Sequence, residues 1–190
     1  MASELFVDNI TGKTGTSGSA PITLSGNAMT LGSAVTFPSG HVVQTIHEQY
    51  HESTDQTSYA TVATHIETNI TITAGNKVYF NYTIPTRIYA NSSAYGNFYY
   101  YVYHKTGSGG TYGEINTTDK RQANYYFDET SNLPGGFYRY FNVGISGVHT
   151  PSSGTEQYYR IYVKLVQGAD VKVGIGTATT NTVVLQEIQA

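Results

Sequence analysis

Residues 158–166 read Tyr-Tyr-Arg-Ile-Tyr-Val-Lys-Leu-Val, an alternation that puts Tyr159, Ile161, Val163 and Leu165 on one face and Tyr158, Arg160, Tyr162 and Lys164 on the other. A period of two marks a strand with one buried face. Val78 to Ile84 repeats it, with Val78, Phe80, Tyr82 and Ile84 inward and Tyr79, Asn81 and Thr83 outward. The run Phe98-Tyr99-Tyr100-Tyr101-Val102-Tyr103 packs five aromatics into six residues of a chain with 18 tyrosines, no cysteine and no tryptophan. Tyrosine favours strands and is amphipathic, so this density suits sheets whose outer surface is covered by another subunit or by a ligand. Binding or assembly therefore ranks ahead of catalysis.

Further strands are expected at 41–49, 60–73, 97–104, 123–127, 137–145, 171–175 and 182–188. Between them lie Ala74-Gly75-Asn76, Gly107-Ser108-Gly109-Gly110, Leu133-Pro134-Gly135-Gly136 and Gln167-Gly168-Ala169-Asp170, which are turn chemistry without room for a helix. The expected fold is all-β: a jelly-roll-type β-sandwich head over 41–190, preceded by an extended or short-strand anchor or shaft over 1–40.

The first 40 residues carry no tyrosine and are built from apolar pairs, Leu5/Val7, Ile22/Leu24, Met29/Leu31 and Val35/Phe37, separated by Gly, Ser and Pro. Each pair makes a strand of about three residues, too short for a stable sheet in one chain. Winding identical chains round one axis would bury them, which makes these eight residues candidates for a trimer shaft. A flexible tail is the other reading, because residues 12–20 have linker composition.

At 190 residues one core is expected. Charged residues make up 12% and the formal net charge is −3, with no basic stripe longer than Lys120-Arg121, which argues against a nucleic-acid partner. Without cysteine there are no disulfides or thiolate metal sites. The start Met1-Ala2-Ser3-Glu4 lacks the basic and apolar regions of a signal peptide, and no stretch approaches the roughly 20 apolar residues of a membrane span. The expectation is synthesis in the cytosol with no signal-directed export and no membrane insertion.

Gly12-Lys13-Thr14 imitates the end of a phosphate loop, but Val7 stands where the first glycine belongs and no strand–helix unit follows. There is no Gly-x-Ser-x-Gly elbow and no cysteine nucleophile, so no catalytic residue and no cofactor is expected. His47 and His51, flanked by Glu48 and Glu52, sit roughly 13 Å apart if on one strand, too far to share an ion, and no metal site is assigned. The outward tyrosines Tyr79, Tyr138, Tyr140, Tyr158 and Tyr162 are candidates for subunit contact or for stacking on sugar rings. Tyr112, in the polar segment 105–118, is the loop aromatic best placed for recognition.

The opening Ser3-Glu4-Leu5-Phe6-Val7-Asp8-Asn9-Ile10, the later Ala20-Pro21-Ile22-Thr23-Leu24-Ser25-Gly26 and the closing Val183-Val184-Leu185-Gln186-Glu187-Ile188 resemble tail-fibre and related virion surface proteins of marine bacteriophages. The matching pieces cover about the first 46 and the last 10 residues; the middle is similar only in texture. The resemblance implies a virion-located homotrimer whose N-terminal segment joins other tail or capsid proteins, and whose β-sandwich head faces a host surface glycan or protein. A capsid decoration protein is the alternative of a different class, and a polysaccharide-acting enzyme is the third.

Overall fold

The computed structural model describes residues 9–10, 22–25, 28–31, 38–57, 59–90, 95–115, 123–128, 137–167, 170–174 and 179–190. The chain divides into two compact units, Met1–Pro38 and Ser39–Ala190. In the first, β1 (Asn9–Ile10), β2 (Ile22–Ser25) and β3 (Ala28–Leu31) form an antiparallel sheet. Its register places Ile22 opposite Leu31 and Leu24 opposite Met29. Leu5, Val7, Val35 and Phe37 lie outside the described residues.

The second unit contains β4 (Val42–Tyr50), β5 (Thr54–Gln56), β6 (Thr61–Thr71), β7 (Lys77–Ala90), β8 (Tyr95–Thr106), β9 (Gly113–Glu114), β10 (Ala123–Asp128), β11 (Phe137–His149), β12 (Glu156–Gln167), β13 (Asp170–Val173) and β14 (Asn181–Ile188). The eight longest pair from the outside inward: β4 with β14, β6 with β12, β7 with β11, β8 with β10, all antiparallel. Cross-links β14·β7 and β12·β8 then assemble a β7 sheet, β4-β14-β7-β11, and a β8 sheet, β6-β12-β8-β10. An antiparallel ribbon rolled up on itself has this strand order, and it is a jelly roll. Among the described residues there is no helix, and so none long and apolar enough to cross a membrane.

The alternation seen in the sequence is the core. Val78, Phe80, Tyr82 and Ile84 of β7 and Tyr159, Ile161, Val163 and Leu165 of β12 are all buried, packed with Phe98, Tyr100 and Val102 of β8. Two short strands were not foreseen: β5 pairs β13, and β9 pairs β8. Pro85 sits inside β7 where its neighbour changes from β14, which ends opposite Thr83, to β13, which begins opposite Thr86. A residue without an N–H costs least at such a break. The Pro85 carbonyl accepts a 2.8 Å hydrogen bond from the amide of Gly174, whose φ of 72° suits only glycine well.

Polar groups inside the sandwich are mostly paired. The Tyr100 hydroxyl meets Thr86 Oγ1 at 2.7 Å, and Thr86 in turn donates to the Ile84 carbonyl, so Tyr100 is the donor to Thr86. The Tyr82 hydroxyl, equally buried, has no hydrogen-bond partner among the described residues. Glu187, 1% exposed, accepts hydrogen bonds from the Thr73 amide (2.7 Å), Asn76 Nδ2 (2.7 Å) and Gln44 Nε2 (2.6 Å), tying β14 to the β6–β7 turn and to β4. Burial alone raises this carboxyl, but the Thr73 amide, Gln44 and Asn76 together outweigh it and hold the group below its ordinary value of 4.5.

Candidate functional site

The outer face of the β8 sheet is built by register. Across β8, β12 and β6 the opposed residues form rows: Lys105, Tyr158 and Asn69; Tyr103, Arg160 and Glu67; Tyr101, Tyr162 and Ala63; Tyr99, Lys164 and Thr61. Five tyrosines and three cations therefore share one surface with one carboxylate in their midst. Tyr103 stacks on Tyr162 at 4.0 Å and 27°, and Tyr112 meets Tyr162 edge-on at 6.0 Å. The Lys105 ammonium lies 4.8 Å from the Tyr112 ring and 4.6 Å from the Tyr158 ring, a double cation–π clamp that fixes the lysine between loop and sheet. Arg160 bridges to Glu67 (3.1 Å) and donates from Nε to the Thr64 carbonyl (2.7 Å), beside a bulge of β6 sealed by Thr64 Oγ1 donating to the Ile161 carbonyl.

Burial, followed by the Glu67 carboxylate beside it, pushes the Tyr112 phenol well up, and the Tyr103 phenol is raised by burial and then by Glu114. Both remain neutral in any physiological medium. The surface thus offers apolar ring area, phenol hydroxyls and fixed positive charge, which is the chemistry of contact with a polar, partly anionic partner.

At one end of the sandwich a cleft of about 420 Å³ opens between the sheets, lined by His104, Lys105, Thr106, Thr111, Glu114 and His149 among others. His104 continues the inward set of β8, and His149 the inward set of β11, so the two rings meet across the sheets edge to face at 4.4 Å. Gln157 Nε2 donates to the Ser153 and Thr155 carbonyls, which leaves its Oε1 as acceptor for His104 Nε2 at 2.7 Å. His104 therefore carries its proton on Nε2. His149 Nδ1 bonds the Tyr159 hydroxyl at 3.0 Å. Burial, then the neighbouring His104, depress His149 to about 4; His104 is lowered by burial, with Gln157 opposing. Two residues before His149 on β11, Gly147 lets the Phe80 ring pack close, because a Cβ there would stand 2.6 Å from that ring's tip.

The outward tyrosines picked out from the sequence fall on two opposite surfaces. Tyr158 and Tyr162 belong to the β8 sheet. Tyr79, Tyr138 and Tyr140 lie on the outer face of the β7 sheet, where Tyr138 stacks against Tyr89 at 4.8 Å under the Arg87 guanidinium and, like Tyr140, is more than half exposed. Tyr112 meets Tyr162 edge-on and has the Lys105 ammonium over its ring. His47 faces outward on the edge strand β4 and His51 meets Thr180 at 3.4 Å; among the described residues no cluster of three or more metal-binding side chains forms. Sequence reasoning passed over Lys105, His104 and His149. The parity of β8 and β11 was the signal, since both histidines extend alternations whose inward members were already legible.

No family model matches the sequence, nor does the sequence of any curated protein. Several solved structures are similar to this chain. The Eiger TNF of S. frugiperda is 11% identical at a TM-score of 0.34, covering 62% of this chain, which spans 63% of that one. The CBM22-1 xylan-binding domain of Paenibacillus barcinonensis Xyn10C is 9% identical at 0.33, over 82% of this chain and 99% of its own. The infectious bursal disease virus Gx strain structure is 13% identical at 0.34, over 89% of this chain and 41% of its own. Likeness at these scores carries nothing about function, and the jelly roll stands on the strand order alone.

Proposed function

We propose that the chain is a non-enzymatic virion structural protein of the tail-fibre type: a homotrimer whose residues 1–40 attach to other virion proteins and whose jelly-roll head meets the host surface. The observation that carries this reading is the outer face of the β8 sheet, where Tyr99, Tyr101, Tyr103, Tyr158 and Tyr162 surround Lys105, Arg160 and Lys164. An aromatic and cationic surface of that kind suits the polar, often anionic polymers of a bacterial envelope. The resemblance of the opening segment to phage virion proteins supports the location, and the tyrosine-rich outer faces support a life in contact with partners.

Antibody against the purified head, applied to particles that carry the chain, is expected to label the tail. Label over the capsid would turn the reading to a decoration protein. Purified protein is expected to compete with phage adsorption, and Tyr158→Ser, which removes a ring of the clamp without touching the core, to weaken that competition at least several-fold while leaving oligomer size unchanged. Undiminished competition by Tyr158→Ser removes this face from the host contact. Depolymerisation of isolated host envelope by the protein would overturn the non-enzymatic assignment.

A further inference from the structure

The cleft at the end of the sandwich is the space above a missing side chain. Gly113 stands opposite His104 in the β8–β9 ladder, and opposed residues share a face, so a side chain at 113 would point the way His104 does. A Cβ there would meet no atom within 4 Å, and Gly113 is not among the glycines with positive φ, so nothing in the backbone demands the emptiness. His149 of β11 lines the same space, its ring 4.4 Å from that of His104. Each imidazole has one nitrogen engaged. His104 gives its Nε2 proton to Gln157, which leaves Nδ1 as an acceptor. The Tyr159 hydroxyl is buried and has no other hydrogen-bond partner among the described residues, so it donates to His149 Nδ1 and the His149 proton sits on Nε2. Two touching rings therefore carry one acceptor and one donor, neither paired among the described residues and neither sealed from solvent.

We infer that this cleft takes one uncharged sugar residue, the end of a glycan chain, with its hydroxyls on His104 Nδ1 and His149 Nε2. The inference rests on the host-contact reading above and adds an enclosed site to the exposed tyrosine face. A hydroxyl both gives and takes a hydrogen bond, so neighbouring hydroxyls of one ring satisfy an acceptor and a donor together. A carboxylate, which only accepts, or an ammonium, which only donates, would leave half of the pair unmet. Charge points the same way. The lining carries one cation and one carboxylate, Lys105 and Glu114, and the Lys105 ammonium is already held by the Ser108 carbonyl at 3.1 Å and by the Tyr112 and Tyr158 rings. Burial lowers both imidazoles, which are neutral at pH 7 and offer no charge to an anion. Size favours a single residue over a length of chain, since about 420 Å³ lies near the low end of the roughly 300–1,000 Å³ of small-molecule sites. Lys105 belongs to both surfaces, lining the cleft and lying over the Tyr158 ring, so a chain that ends in the cleft can continue across the tyrosine face.

Saturation-transfer difference NMR on the full chain tests this with the methyl α-glycosides of glucose, galactose and mannose and with N-acetylglucosamine, each titrated through the millimolar range. At least one is expected to receive transfer that saturates with concentration and is lost in Gly113→Leu. That variant fills the cleft with a side chain whose Cβ is unobstructed, and unchanged far-ultraviolet circular dichroism checks that it folds. His149→Phe keeps a ring against His104 and removes the donor, and is expected to weaken binding of the same sugar several-fold. Saturable transfer to none of the four sugars, or undiminished transfer in folded Gly113→Leu, overturns the inference. Should Gly113→Leu fail to fold, undiminished affinity of His149→Phe overturns it instead. Transfer lost in Tyr158→Ser but kept in Gly113→Leu puts the sugar on the exposed face, which overturns the cleft and leaves the host-contact reading standing. Glucuronate that binds more tightly than methyl glucoside, and is displaced by Gly113→Leu, would overturn the uncharged assignment.

Discussion

Replacing Glu187 by glutamine tests how the last strand is held. The amide oxygen of the new side chain can still accept from the Thr73 amide and Asn76, but its NH2 group faces Gln44 Nε2, whose two protons are committed to Glu187 and the Thr71 carbonyl. One charge-assisted bond is lost and two become neutral ones. With charge-assisted bonds contributing about 1.5–3 kcal/mol and neutral ones about 0.5–1.5, and with a neutral side chain easier to bury, the net loss is about 3 kcal/mol. For a unit of this size that lowers Tm by roughly 6–12 °C. The pH dependence has a definite sign. The folded carboxyl lies below its ordinary 4.5, so the unfolded chain binds this proton more readily; the contribution is complete above the ordinary value and is lost as the pH falls through the folded one. Urea titrations at pH 7 and about pH 3, followed by circular dichroism, should therefore show a wider gap between wild type and Glu187→Gln at the first pH than at the second. A loss under about 1 kcal/mol at pH 7, or an equal gap at both, would refute the account of an ionised, thrice-bonded carboxylate.

Tyr82→Phe removes a fully buried hydroxyl that has no partner among the described residues, so it should leave stability unchanged or raise it by about 1 kcal/mol in the same titration; a loss larger than that would mean the hydroxyl is satisfied in the folded protein. His149, depressed from 6.5 to about 4, gives stability that is full above 6.5 and declines as the pH falls toward 4, because the unfolded chain takes up the proton first. His149→Phe keeps a ring against His104 and Tyr159 without titrating, and thermal melts across that window should show a flatter profile than wild type; an unchanged slope would clear His149 of that role.

The jelly roll was legible because alternation is a property of consecutive residues. Val78 to Ile84 and Tyr158 to Val166 announced their own inward faces, and those inward residues form the core. β5 and β9 were not legible: Thr54-Asp55-Gln56 and Gly113-Glu114 have no apolar alternation, and become strands only because β13 and β8 offer them an edge. The tyrosine surface was legible residue by residue, but its division between two opposite faces depends on which strand belongs to which sheet. His104 and His149 stood singly in the sequence, and only the pairing of β8 with β12 and of β7 with β11 brings their rings together. Glu187 falls on the inward parity of Val183 and Leu185, yet nothing near it in sequence names Thr73, Asn76 or Gln44 as its donors.

Because β4 mates with β14, Tyr50 faces Asn181, a partner synthesised long after it. During translation the early half of the β7 sheet emerges with its mate still inside the ribosome, so native closure must wait for the latest strand to appear. Such distant pairings make for slow maturation and a prolonged interval in which Val42, Ile46 and their neighbours stand uncovered. The low charge of the chain also leaves this nascent intermediate poorly defended, and a holding chaperone would raise the yield of folded protein.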